Sequence, residues 1–223
     1  MKISIIIPAL NEEGYLEKTL LHTLKLKGKF EIIVVDGGST DHTQKIAQGF
    51  KDIRTLVVGK GRANQMNQWA LHAKGEVLLF LHADTLLPQN TYQDITKQLQ
   101  KPGHIGESFR LRFNKSHPIL KFYSWCSLFS LEFFTYGDHG IFIKENIFRE
   151  IEGYKEIPFM EDVEIQKKLR KRGKFKKLKA SVLTSGRRFE KAGTLRQLIT
   201  DVLLVFFYNL GTSPILLKQF YED

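Results

Sequence analysis

The first hundred residues alternate between strongly apolar runs and stretches whose apolar side chains recur at helical spacing. The runs are residues 2–8 (KISIIIP), 30–35, 53–58 and 77–81. The last is unbroken, the pattern of a strand covered on both faces. Between the runs, Tyr15, Leu16, Thr19, Leu20 and Leu24 mark one helix face. Further helices are predicted over residues 43–50, from Gly59 to Ala73, and over 88–100. Strands joined by crossovers of this length form a mostly parallel α/β sheet with right-handed connections and flanking helices.

The second half is less regular. Residues 106–113 predict a strand, and 118–134, rich in large apolar side chains, predict a helix with a broad apolar face. A polar loop, Gly137-Asp138-His139-Gly140, precedes a short strand over 141–143. A helical turn over 146–151 follows, then residues 158–162 lead into a helix through about Arg172, and a last strand covers 180–183. Thr184-Ser185-Gly186-Arg187-Arg188 is a basic loop, and residues 195–210 form a strongly apolar helix. No repeat or linker interrupts the chain, so a single domain over 1–223 is expected, ending in a helical C-terminal extension.

The strand ends carry the polar residues. The run 77–81 stops at His82 and Asp84; a strand buried on both faces cannot hold an unpaired carboxylate, so Asp84 should emerge at its carboxyl end. In open α/β sheets that edge is the ligand crevice. Asp84 could equally cap the helix that follows. The other strand ends bring Asn11/Glu12, Asp36/Ser39 and Gly61/Arg62 to the same edge. The glycines around Lys60 and Arg62 allow close backbone approach where an anion could dock on a helix N-terminus.

Composition narrows the class. The 223 residues are 42% hydrophobic, enough for one large core. The lone cysteine, Cys126, excludes an intrachain disulfide and fits a cytoplasmic setting. The N-terminal apolar run is too short for a signal peptide, and no run reaches transmembrane length. A net charge of +10 favours anionic partners, with much of the excess in 167–179 (KKLRKRGKFKKLK), which also reads as a solvated face.

The strand-end set IIIPALNEE, VVDGGSTD, GRANQM and FLHADT, followed by GDHG and MEDVE, resembles family 2 glycosyltransferases of the GT-A fold. Within that family it is most similar to the small radical-SAM/selenodomain-associated transferases. The match covers roughly residues 1–190, and its specificity lies in the order of the motifs. It implies inverting transfer of a sugar from a nucleotide-sugar donor, with UDP-sugars favoured, assisted by Mn2+ or Mg2+. It also implies a nucleotide-binding half over 1–100 and an acceptor half over 101–190. By position, Pro8, Ala9, Asn11, Glu12, Asp36, Ser39, Gly61, Arg62 and His82 would surround the nucleotide. Asp84 matches the last aspartate of the Asp-X-Asp metal motif, and Asp162 the catalytic base of the Glu-Asp pair. Two departures stand out: His82 replaces the first aspartate of the metal motif, and the Gln-X-X-Arg-Trp motif of processive synthases is absent.

The chemistry explains these residue types. Magnesium is commonly held by one or two carboxylates plus substrate phosphates, so Asp84 alone suffices for a substrate-assembled site. His82 either adds a nitrogen ligand, which suits manganese, or contacts ribose or packs locally. A hydroxyl attacking an anomeric carbon needs a carboxylate base. Asp162 is the choice, with Glu161 orienting the acceptor and Glu164 a competitor; all three also suit a helix's first turn. Arg187 and Arg188 could add charge at the diphosphate, and Asp138 and His139 could contact diphosphate or acceptor, His139 also as a late metal ligand. The apolar segments beside basic residues suit a peripheral place on the inner membrane face and a lipid-linked acceptor, or packing on a second subunit. The rival readings are a nucleotidyltransferase and a non-catalytic membrane- or nucleic-acid-binding protein; the strand-end carboxylates argue against nucleic acid.

Overall fold

A computed structural model describes residues 1–126 and 139–221. Strands β1 (Ile3–Ala9), β2 (Phe30–Asp36), β3 (Ile53–Val57) and β4 (Val77–Phe80) lie parallel in the order β3-β2-β1-β4. Every residue of β1 is buried, because alternate side chains serve two cores. Ile3, Ile5 and Ile7 meet Leu16 and Leu20 of α1 (Leu16–Leu24) and Ala47 of α2 (Thr43–Gln48). Ile6 faces the other way, toward Ala63, Met66 and Trp69 of α3 (Arg62–Ala70). The register sets Ala9 beside Asp36 and Asp36 beside Val57, so the polar loops leave at one edge.

Beyond β4 the sheet continues through β5 (Thr85–Leu86), β6 (His104–Phe113), β7 (Ile141–Lys144) and β8 (Lys174–Thr184). The full order is β3-β2-β1-β4-β7-β6-β8-β5. β7 runs antiparallel to both β4 and β6, and β5 antiparallel to β8, so four of the seven pairings are parallel. Helix α4 (Thr91–Leu99) covers one face through Ile95 and Leu99. α5 (Pro118–Cys126) is the described part of the predicted 118–134 helix; residues 127–134 lie outside the described residues. α6 (Glu145–Glu150) and α7 (Glu161–Arg172) follow β7.

The basic run 167–179 is a single solvated face in neither half. Its first part ends α7, and its second opens β8, an eleven-residue strand where only residues 180–183 were expected. Phe175 and Leu178 are buried between exposed Lys174, Lys176 and Lys179. A register shift on β8 disturbs strict alternation there, which hides the strand from a period-two reading.

The chain closes with α8 (Arg187–Ala192), α9 (Thr194–Asn209) and α10 (Pro214–Lys218). Leu204, Val205 and Leu217 pack on Met160 and Val163, at the start of α7. Among the described residues, no helix is long and apolar enough to cross a membrane.

Candidate active site

The loops after β1 and β2 are zipped together. Asn11 sits in the left-handed region at φ 54°; its N–H donates to Ser39 Oγ and its Oδ1 accepts from Thr40 N at 2.9 Å. Glu12 N donates to Thr43 Oγ1 at 2.7 Å. Beneath them Gln65, buried on α3, donates to the carbonyls of Ala9 and Val35 and clamps the two strand ends. These bonds fix the rim that carries Pro8, Ala9, Asn11, Glu12 and Ser39.

Two arginines organise the crevice itself. Arg62, the first residue of α3 after the left-handed Gly61 (φ 124°), pairs with Glu161 and Asp162 at the start of α7. Its Nη1 also donates to His82 Nε2 at 3.2 Å, which puts the His82 ring proton on Nδ1. Glu161 and Asp162 are almost buried, and the paired Arg62 cation offsets the cost of burying carboxylates there. Burial alone would lower the Arg62 pKa; the carboxylates of Asp162 and Glu161 outweigh it and hold the guanidinium well above its usual range. Met160, just before this pair, has φ 70°, a conformation that side chains rarely adopt.

Arg187 makes the second node. Its guanidinium grips Glu12 bidentately, with Nη1 at 2.7 Å from Oε2, and its Nε lies 3.5 Å from Asp84 Oδ2. The guanidinium stacks on Tyr15, 4.6 Å from the ring centre. Asp84 Oδ1 accepts from Thr85 Oγ1 at 3.3 Å and faces Thr184 Oγ1 at 3.5 Å, which ties the end of β8 to the same carboxylate. Asp84 is thus drawn into the crevice and does not cap α4, whose N-terminal flank is Asn90.

Three expected site residues are placed away from the crevice, and a fourth is not described. Asp36 is fully buried, and its carboxylate accepts from Gly38 N, Ser39 N, Ser39 Oγ and Gln44 Nε2, so it braces its own loop and is not open to a base. His139 is also fully buried and donates from Nδ1 to the Phe109 carbonyl at 3.0 Å, a core position closed to an acceptor. Arg188 points away from Arg187: it stacks on Tyr221 at 4.4 Å and reaches Asp201, joining α8 to the C-terminal segment. Asp138 lies outside the described residues.

Other residues enter that the motifs did not mark. Tyr154 lies beside Asp162 and lines a small space behind the Arg62 node with Pro8, Met66 and His82; burial and the Asp162 charge push its phenol well above the usual range. Tyr221 packs on Phe159 with ring centres 4.2 Å apart, beside the start of α7. No periodicity could have found these, because each reaches the crevice from a distant stretch of chain.

Among the described residues, no cluster of three His, Cys, Asp or Glu side chains could hold a metal unaided. The donor set fits a substrate-assembled site: one carboxylate, Asp84, with its remaining ligands to come from phosphate and water. His82 Nε2 is engaged by Arg62 and is not turned outward as a nitrogen ligand.

Comparison with known proteins identifies the family and the fold. The family model described as Glycosyl transferase family 2 matches residues 4–155. The chain is 32% identical over 103 residues to the poly(ribitol-phosphate) beta-N-acetylglucosaminyltransferase TarS of Staphylococcus aureus, covering 42% of this chain and 18% of TarS. It is 33% identical over 106 residues to glycosyltransferase GlyG of Streptococcus pneumoniae, covering 44% of this chain and 35% of GlyG. The chain therefore spans only a minor part of these relatives. The fold matches that of S. aureus TarS 1-349 in complex with UDP-GlcNAc, with TM-score 0.69 and 20% identity over 84% of this chain and 59% of that one. It also matches mannosyltransferase PcManGT from Pyrobaculum calidifontis in complex with GDP-Man and Mn2+, with TM-score 0.71 and 20% identity over 96% and 66%. These structures carry the GT-A architecture, and the comparisons name the family without the radical-SAM subgroup. With a family model spanning most of the chain and the sheet that goes with it, this protein belongs to glycosyl transferase family 2.

Proposed function

We propose that the protein transfers a sugar, with inversion, from a nucleoside-diphosphate sugar to an acceptor hydroxyl. The observation that carries this reading is the pair of arginine–carboxylate nodes at one edge of the sheet. One holds the base candidate Asp162, the other the metal candidate Asp84. UDP-GlcNAc in TarS and GDP-Man in PcManGT make nucleotide sugars the donor class, with UDP-sugars the first to test.

In this mechanism residues 1–100 hold the nucleotide on the rim formed by Pro8, Ala9, Asn11, Glu12 and Ser39, and residues 101–190 present the acceptor. Asp162 accepts the proton of the attacking hydroxyl. The new C–O bond forms as the bond to the diphosphate breaks, and that electron pair leaves with the diphosphate. Arg62 keeps Asp162 ionised and orients it; Glu161 shares this pairing and positions the acceptor. Arg187 offers positive charge to the leaving diphosphate. A bound Mn2+ or Mg2+, held by Asp84 and phosphate oxygens, would supply Lewis-acid stabilisation of the departing charge.

The acceptor we assign is amphiphilic, met at an anionic membrane surface. Leu195, Ile199, Leu203, Phe206 and Phe207 line an exposed apolar face of α9 that continues into Leu210, with exposed Arg196 near its N-terminal end. Exposed Phe122 and Trp125 stack on α5, with ring centres 5.9 Å apart. The charged residues of α5, α9 and α10 are Lys121, Arg196, Lys218 and Asp201, and Asp201 is buried against Arg188. An apolar face with a cationic margin suits anionic lipid. Residues 191–223 act in this reading as the docking extension.

Asp162→Asn tests the core of the proposal. Transfer should fall by about 10²–10⁴-fold, the usual worth of a general base, while donor binding stays within about threefold. Equal loss of both would make Asp162 a donor-binding or structural residue. Mass analysis of the product must find the sugar, not the nucleotide, on the acceptor.

A further inference from the structure

Arg187 bridges carboxylates from two separate strand ends, Glu12 after β1 and Asp84 after β4. Both carboxylates are largely shielded, with side-chain exposures of 15% and 12%. A divalent cation approaching Asp84 therefore meets a guanidinium that grips Glu12 bidentately and holds its Nε 3.5 Å from Asp84 Oδ2, a fixed positive charge beside the oxygens it would need. We propose that Arg187 is an internal counter-cation that disfavours divalent metal in the nucleotide-free crevice, and that the incoming diphosphate draws it off Glu12 and Asp84, so that metal and donor bind as a coupled pair.

The inference rests on the reading of this crevice as a nucleotide-sugar site. A guanidinium fork fits phosphate oxygens as well as it fits a carboxylate, so the diphosphate offers Arg187 an equivalent partner. The same diphosphate supplies oxygen ligands that Asp84 lacks alone. Tyr15, stacked on the guanidinium, keeps the charge near the crevice while its acidic partners change. The two binding events then favour each other, and the coupling must be reciprocal.

The test is Mn2+ binding to the full chain, followed by loss of the free-ion EPR signal, with and without UDP. Wild type, Arg187→Gln and Arg187→Lys are compared. Wild type should bind Mn2+ about tenfold more tightly with UDP, within the usual range of coupling between sites. Arg187→Gln should bind Mn2+ without UDP about tenfold more tightly than wild type and lose most of the UDP effect. Arg187→Lys should fall between, because an ammonium cannot grip Glu12 bidentately; it carries the test if the Gln variant does not fold. Unchanged or weaker Mn2+ binding by the free variants, with wild type still coupled, overturns the inference alone. A wild type that binds no Mn2+ with UDP overturns the nucleotide-sugar reading together with it.

Discussion

At the residue scale, the crevice is a balance of buried charge. Glu161 and Asp162 share the Arg62 guanidinium, and removing one partner of such a buried group costs far more than the pair contributes. Arg62→Met should therefore destabilise the protein by about 2–3 kcal/mol, the lower end for a broken buried pair because the Arg62 side chain keeps 35% exposure. Urea unfolding measures it, and a change within 0.5 kcal/mol (about the noise of a surface substitution) would mean that the carboxylates do not depend on Arg62. Asp84 and Arg62 stand out in the sequence because each follows a strand end or opens a helix, whereas Asp162 stands out only by its match to the Glu-Asp pair. Their partners do not: nothing in the spacing of Arg62 and Glu161 along the chain reveals a shared ion pair. Asp36 shows the reverse failure, a motif residue whose oxygens its own loop consumes.

At the element scale, β8 is the instructive strand. Its lysines make it look like surface, yet it pairs with β6 along its length and brings Thr184 to Asp84. Lys177 lies half-buried in it, and burial, reinforced by Arg170 and Arg110, pulls its pKa down to about 7. The unfolded chain then binds more protons than the folded one between pH 7 and the usual lysine pKa, so stability gains from this group as pH rises through that window. Lys177→Met should be more stable than wild type at pH 6 and should lose that advantage by pH 10, with at most about 1.4 kcal/mol changing per pH unit. Melting curves across the range check this; a constant difference would remove Lys177 titration from the account. The parallel strands β1 to β4 were readable because apolar runs and turns alternate cleanly. β5 is two residues long and carries no period at all.

At the scale of the whole molecule, antiparallel β7 sits in the middle of the sheet, and that reversal joins the parallel strands β1 to β4 to a half that delivers α7 to the crevice. Pattern alone predicts β6, β7 and the end of β8 but not this order, which depends on contacts between distant segments. The C-terminal extension matters for the same reason: Leu204 and Val205 buttress Met160, whose strained backbone aims Glu161 and Asp162. Leu204→Ala should cost about 2–4 kcal/mol as a core truncation and should lower kcat more than it raises KM. A loss confined to stability would make the extension a cover only. On anionic liposomes at low salt the protein should sediment, and Phe206→Ser with Phe207→Ser should release it; recovery of wild type in the supernatant would instead leave the apolar face for a second copy.

The central claim is that Asp84 and the surrounding crevice bind a nucleotide sugar together with a divalent metal. Calorimetric titration of a panel of nucleotide sugars, with Mn2+ and with chelator, tests it most directly. The account predicts metal-dependent binding of at least one, UDP-linked in the first instance, weakened about tenfold or more in Asp84→Asn through loss of a metal-ligating carboxylate. Absence of metal-dependent binding for every nucleotide sugar, or binding indifferent to Asp84→Asn, would contradict it.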